Sequence, residues 1–186
     1  MKCILSQHGQ QWQNLAQDWY GKAVCPPLQF AFTLEHDFLC FYAKRAAAAV
    51  IHPQAQPGDF QPELWMYDVA EFFIAAEEGA PYMEVNLCPN GAWWACVFSA
   101  ARVAAPGAEP PAGVQAEGSL SADGWACSIR IPVAELQKRG IAPANCRLAA
   151  TAILDSPQQI FLTTAPDLSG EPDFHRPHSW EPIQSN

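Results

Sequence analysis

Apolar residues along the chain recur in short bursts, and within most bursts they alternate with polar residues at a spacing of two. The bursts cover 28–36 (LQFAFTLEH), 37–46 (DFLCFYAKRA), 68–76 (DVAEFFIAA), 81–89 (PYMEVNLCP), 92–104 (AWWACVFSAARVA), 125–132 (WACSIRIP), 146–154 (CRLAATAIL) and 160–164 (IFLTT). A period of two is that of a β-strand, whose successive side chains leave opposite faces. Eight strands are therefore predicted. The pieces between them, HPQAQPGDFQPE, EEGAP, CPNGA, APGAEPPAG and SADG, supply the Gly, Pro, Asn and Asp that turns require. Short strands at this spacing predict an all-β fold, an antiparallel β-sandwich of immunoglobulin-like or jelly-roll-like type.

Helix is scarce, with at most one or two short helices expected. VAELQKRG (133–140), preceded by Pro132 and closed by Gly140 as a C-cap, is the best candidate. The alanine run to Val50 has high helix propensity yet continues an alternating strand, so its state is open. Residues 105–118 read as one long loop. The tail from Ala165, rich in Pro, His and aromatics, is too apolar for a frayed end. Residues 1–27 either add a strand or wrap outside. No internal repeat or long linker divides the chain, and residues 1–186 read as one sandwich domain.

The segment LWMYDVAEFFI (64–74) raises a question of chemistry. Alternation from Val69 sends Ala70, Phe72 and Ile74 to one face and Val69, Glu71 and Phe73 to the other. The first is a core face. The second, apolar but for one carboxylate, is either a solvated surface or the floor of a groove that binds something polar. Asp68 and Glu71 have opposite parity, so they do not make an acid and base pair of the glycosidase kind on a regular strand. Asp68 is expected to organise the start of the strand by accepting backbone N–H bonds. Trp93 and Trp94, as neighbours, must face opposite ways.

The 186 residues are 49% hydrophobic and 16% charged, enough for a sizeable core. The formal net charge of -9 and the scattered Lys and Arg exclude nucleic acid as a natural partner. Seven cysteines include no CxxC pair; Cys40, Cys88, Cys96 and Cys127 lie in apolar runs and read as buried, reduced thiols. The opening MKCILSQHGQQ is too polar for a secretory signal and no run reaches transmembrane length, so no membrane association and a cytoplasmic address are expected. FHRPH (174–178) holds two histidines three apart without accompanying zinc-type ligands, so no metal site and no cofactor is expected. No P-loop, HExxH or GxSxG signature appears, and a non-enzymatic protein is expected.

Four segments in order resemble family 9 carbohydrate-binding modules and the wider family-9-like domains. They are W-x-x-D-x-x-E with Phe72, Phe73 and Ile74 after Trp65, Asp68 and Glu71; PYMEVNLCPNGAWW; GWACSIRIPVAEL; and the tail spacing of Phe174, Pro177, Trp180 and Ile183. They span roughly residues 60–183. The resemblance implies a sandwich with a shallow sugar site in which two aromatic rings clamp a terminal sugar and a glutamate binds its hydroxyls. Carried over, Trp65 is the first ring, Phe174 the second and Glu71 the hydroxyl-binding acid. Glu63 falls where the family has an aspartate, and His175, if protonated beside Glu71 or Glu171, would make affinity pH-dependent.

The family's arginine falls at Glu84, its asparagine at Glu171 and its glutamine near Ala150 or Ala152. Each lost hydrogen bond is worth about 0.5–1.5 kcal/mol net. A structural calcium is also implied, with no loop to place it. Arg102 and Arg130 are expected on outer faces rather than as ligands. The expected function is binding of a saccharide or small polar ligand, the alternative a protein interaction or self-association module that kept the fold and lost the sugar site.

Overall fold

The computed structural model describes residues 1–76, 81–107 and 109–185. The strands are β1 (Ile4–Ser6), β2 (Gln13–Gln17), β3 (Ala23–Glu35), β4 (Phe38–Arg45), β5 (Val69–Ala76), β6 (Tyr82–Leu87), β7 (Trp93–Ala100), β8 (Val103–Ala104), β9 (Gln115–Leu120), β10 (Trp125–Pro132), β11 (Cys146–Leu154), β12 (Ile160–Thr163), β13 (Glu181–Pro182) and β14 (Gln184–Ser185). They form two seven-stranded sheets. The first runs β14-β1-β3-β4-β10-β9, with β2 also on β3; the second runs β12-β11-β5-β6-β7-β8, with β13 also on β11. Neighbours pair antiparallel except β1, which is parallel to both β3 and β14. This is an all-β sandwich with, among the described residues, one short helix, α1 (Val133–Gln137), and three single 3-10 turns.

All eight predicted bursts contain strands, but the expected 92–104 strand turns back on itself at Arg102, which has a φ of 58°, to give β7 and β8. The long loop over 105–118 is also corrected, because β9 begins at Gln115. That strand is exposed along most of its length at a sheet edge, so no buried face imprints alternation on it. The chain before residue 28 is not a wrapping either: β1, β2 and the first part of β3 extend the first sheet. Pro26 and Pro27 hide the beginning of β3, and they sit where the β2–β3 ladder loses register between the pairs Leu15–Leu28 and Gln17–Ala23. The alanine run leaves the sheet after Arg45 without forming a helix. Of the expected EEGAP turn, residues 77–80 lie outside the described residues.

The core lies between the sheets. Phe32 and Phe41 of the first meet Phe72 of the second at ring-centroid distances of 5.5 and 5.1 Å, among Phe30, Ile74, Met83, Val85, Ile129 and Trp93. At one end the β6–β7 turn and β9 touch backbone to backbone. A Cβ on Gly118 would stand 2.3 Å from the Pro89 carbonyl oxygen, so only glycine permits the approach. All seven thiols are free: Cys40, Cys88 and Cys127 are buried as expected, whereas Cys96 is only half-buried and Cys25 is exposed. Among the described residues no helix is long and apolar enough to cross a membrane.

The outer face of the second sheet is not left to water. The segment between β4 and β5 covers one part, packing Ala55 and Leu64 against Val69 and Ile153; the tail covers another, packing Trp180 against Phe73 and Tyr82. Between these two covers lies a groove.

Candidate functional site

The groove is about 420 Å³ in volume. Its floor comes from β5 and β6, its walls from Trp65 on one cover and Pro172, Phe174 and His175 on the other, with Trp94, Phe98, Arg102, Ile153 and Phe161 around it. Register explains the floor. Glu71 pairs with Asn86 and Thr151, and Phe73 pairs with Glu84, so all five side chains share one face of the sheet. Glu71 is 2% exposed and its Oε2 accepts a 3.0 Å bond from the Thr151 hydroxyl. Trp94 faces this groove while Trp93 enters the core.

Each wall is anchored from a distance. Asp68 is buried, and its two carboxylate oxygens accept the backbone N–H groups of Ser156 (2.8 Å) and Val50 (3.1 Å), as the sequence led us to expect. This pins both ends of the covering segment to the β11–β12 turn. Trp65 stands on a 3-10 turn, 52% exposed, and its carbonyl accepts a 3.1 Å bond from the Gln159 side chain. On the other side, Phe174 packs against Trp19, Phe73 and Phe161 with centroids 6.1–6.2 Å apart. The Trp180 indole N–H donates to the Phe174 carbonyl at 3.2 Å, and the Trp19 indole N–H to the Gly170 carbonyl at 2.8 Å.

Of the residues nominated from sequence, Trp65, Glu71, Phe174 and His175 line this one groove. Glu63 does not: it is exposed in a left-handed conformation (φ 64°) ahead of the Trp65 turn. Glu171 is likewise outside the lining, accepting a 3.0 Å bond from the Tyr20 hydroxyl. Ala150 and Ala152 point into the core, and Thr151 between them is the polar side chain that β11 presents to Glu71. Arg102, expected on an outer face, lines the groove, its guanidinium 2.8 Å from Asp173. Arg130 lies over the Phe38 ring on the other sheet.

His175 is also repositioned. Its neighbour is Glu84, with Nε2 3.5 Å from Oε2, rather than Glu71 or Glu171. The Tyr82 oxygen accepts the Arg102 backbone N–H at 3.0 Å and contacts His175 Nδ1 at 2.7 Å. The His175 ring thus lies between the Tyr82 hydroxyl on Nδ1 and Glu84 on Nε2. Burial, and after it the Arg102 charge, pushes the His175 pKa down to about 4, against the opposing pull of Asp173. The ring is neutral at pH 5–8, so it is not the source of pH dependence.

That role passes to the carboxylates. Burial pushes Glu84 up to about 7, against lowering by the Asn86 amide and Arg102. Burial first, and then the charge of Glu84, raises Glu71 well above the usual carboxylate range, against the Thr151 bond. Both acids bind protons more tightly folded than unfolded, so they withdraw stability as pH rises above the ordinary carboxylate range, Glu84 through about 7. His175 does the reverse, withdrawing stability as pH falls from its ordinary value of 6.5 through about 4. The expected thermal stability is greatest where the two windows overlap and falls on both sides. Glu84→Gln should reduce the alkaline fall, which we expect to be roughly 5 °C in Tm between pH 6.5 and 8, and leave the acid fall unchanged. Melts from pH 4 to 8 check it; an unaltered alkaline limb would exclude Glu84 as the titrating group.

No protein-family model matches the chain. A crystal structure of a proposed carbohydrate-binding protein from Bacteroides uniformis superposes with a TM-score of 0.77 at 16% identity, covering 100% of this chain and 98% of that one. A family 9 carbohydrate-binding module from Caldicellulosiruptor kristjanssonii superposes with TM-scores of 0.65 in its glucose complex and 0.66 in its cellotriose complex, at 13% and 12% identity. Those two superpositions cover 100% of this chain and 96% and 93% of the module. The fold is that of a family 9 carbohydrate-binding module. By sequence, the mouse (Mus musculus) UPF0462 protein C4orf33 homolog is 26% identical over 141 residues, 72% of this chain and 69% of the mouse protein.

The family 9 fold leaves the chemistry of this groove to its own side chains. What sequence reasoning missed is the part that depends on register: Phe73 was readable from its parity with Glu71, whereas Phe98 and Arg102 arrive from β7 and the turn after it. Among the described residues no three His, Cys, Asp or Glu side chains are placed as metal ligands, and no calcium is assigned.

Proposed function

We propose that this protein is a non-catalytic module that binds a saccharide in the groove between Trp65 and Phe174. One observation carries the reading: two aromatic side chains from distant parts of the chain line the same groove as a buried, hydrogen-bonding carboxylate, Glu71. The C–H faces of a pyranose stack on aromatic rings, and its hydroxyls need acceptors and donors close by. The Glu71 and Glu84 carboxyl groups and the His175 ring supply acceptors and donors, and Trp94 and Phe73 provide apolar walls. The fold shared with modules solved with glucose and cellotriose adds support. Glu63 has no part in it, and the neutral Thr151 serves by orienting Glu71.

Titration with a panel of mono- and disaccharides, followed by tryptophan fluorescence and calorimetry, tests the proposal. A saturable response in the micromolar to millimolar range is expected for at least one hexose. No response at millimolar ligand would overturn it.

A further inference from the structure

The groove floor carries two acids where a sugar site needs only one. Glu71 and Glu84 lie on adjacent strands, on the same face and on a diagonal, 2% and 7% exposed. Among the described residues neither has an ammonium or guanidinium group within 4 Å; the single basic neighbour at that range is His175, held neutral. The other cations near this face are committed. Arg102 is paired with Asp173 at 2.8 Å, and Arg147, farther along β11, donates to the Trp180 carbonyl at 2.7 Å. Asn86, fully buried between the register positions of Glu71 and Trp94, has neither amide atom in a hydrogen bond of ordinary geometry. A buried acid pair with no ammonium or guanidinium group within 4 Å, its longer-range cation Arg102 already paired with Asp173, leaves the floor open to a cationic group of a ligand, whose N–H bonds the Asn86 side-chain oxygen can also accept.

Resting on the saccharide reading above, we infer that the ligand is an amino sugar whose ammonium group sits on the Glu71–Glu84 pair while its ring stacks on Trp65. Burial raises both acids, so the pair still carries protons at neutral pH. An incoming ammonium replaces a proton, which leaves to solvent. Binding therefore releases protons, and a neutral hexose releases none.

The test compares glucose, 2-amino-2-deoxyglucose, 6-amino-6-deoxyglucose and N-acetylglucosamine by calorimetry at pH 7, in two buffers of different ionisation enthalpy. At least one of the two amino sugars should bind about tenfold tighter than glucose, because charge-assisted hydrogen bonds are about twice as strong as neutral ones. Its apparent enthalpy should shift between buffers in the sense of proton release. N-acetylation should cancel the advantage. Glu84→Gln and Glu71→Gln, made separately so that one misfolded variant does not decide the matter, should bring the amino sugar to glucose affinity ratio towards one. If glucose binds and neither amino sugar binds more tightly, the amino-sugar inference falls while the saccharide reading stands. If none of the four binds, both fall.

Discussion

Trp65→Ala is expected to abolish the saccharide response while leaving the fold intact. The indole is 52% exposed, so the folded protein loses little by its removal, within about 0.5 kcal/mol as for an ordinary surface change. The backbone bond from Gln159 reaches the Trp65 carbonyl and survives the substitution. A stacked sugar covers roughly 100 Å² of ring, about half of what a tryptophan buries, and this contributes ~2.5 kcal/mol at about 25 cal/mol per Å². Stacking adds ~0.5–1.5 kcal/mol. The loss is therefore about 100-fold or more in Kd, read by calorimetry against an unchanged melting temperature. Affinity within a few-fold of the parent would mean that the ligand sits elsewhere.

The largest loss of stability is expected from Phe72→Ala. Phe72 is buried between Phe32 and Phe41, where the two sheets meet. A cost of about 3–5 kcal/mol follows, or roughly 10 °C in Tm for a chain of this size. Phe73 points the opposite way, into the groove, and packs against Phe174, Trp180 and His175. Chemical and thermal melts should place Phe72→Ala well below the parent. A change under about 1 kcal/mol would contradict the placement of Phe72 in the core between the sheets.

These neighbours also show how much the chain disclosed before its fold was known. Period-two alternation separated Phe72 from Phe73 and Trp93 from Trp94 correctly, because successive side chains of a strand leave opposite faces and in these strands one face is core. The same rule applied to β11 puts Thr151, not Ala150 or Ala152, beside Glu71. Trp65 and Phe174 were nominated by resemblance, and both line the groove. Glu63 was not legible in this way, because its orientation depends on a left-handed backbone at the start of a 3-10 turn. Nor was the setting of Glu84, which is determined by the β5–β6 register and by a tail histidine 91 positions further along. Edge strands such as β9 escaped for another reason: exposure on both sides erases the pattern by which strands are recognised.

The anchoring of Phe174 has a consequence for how the protein acquires a working surface. Its ring rests on Trp19, whose own N–H and indole reach Phe161 and Gly170, while the opposite wall hangs from Asp68 and the turn at Ser156. No short contiguous fragment contains these partners. Such closures across most of the chain carry a large entropic cost before any contact repays it, which places them late in folding. The groove is thus an all-or-none property of the finished molecule: a peptide excised around Trp65 and Glu71 would keep the motif and lose the hollow.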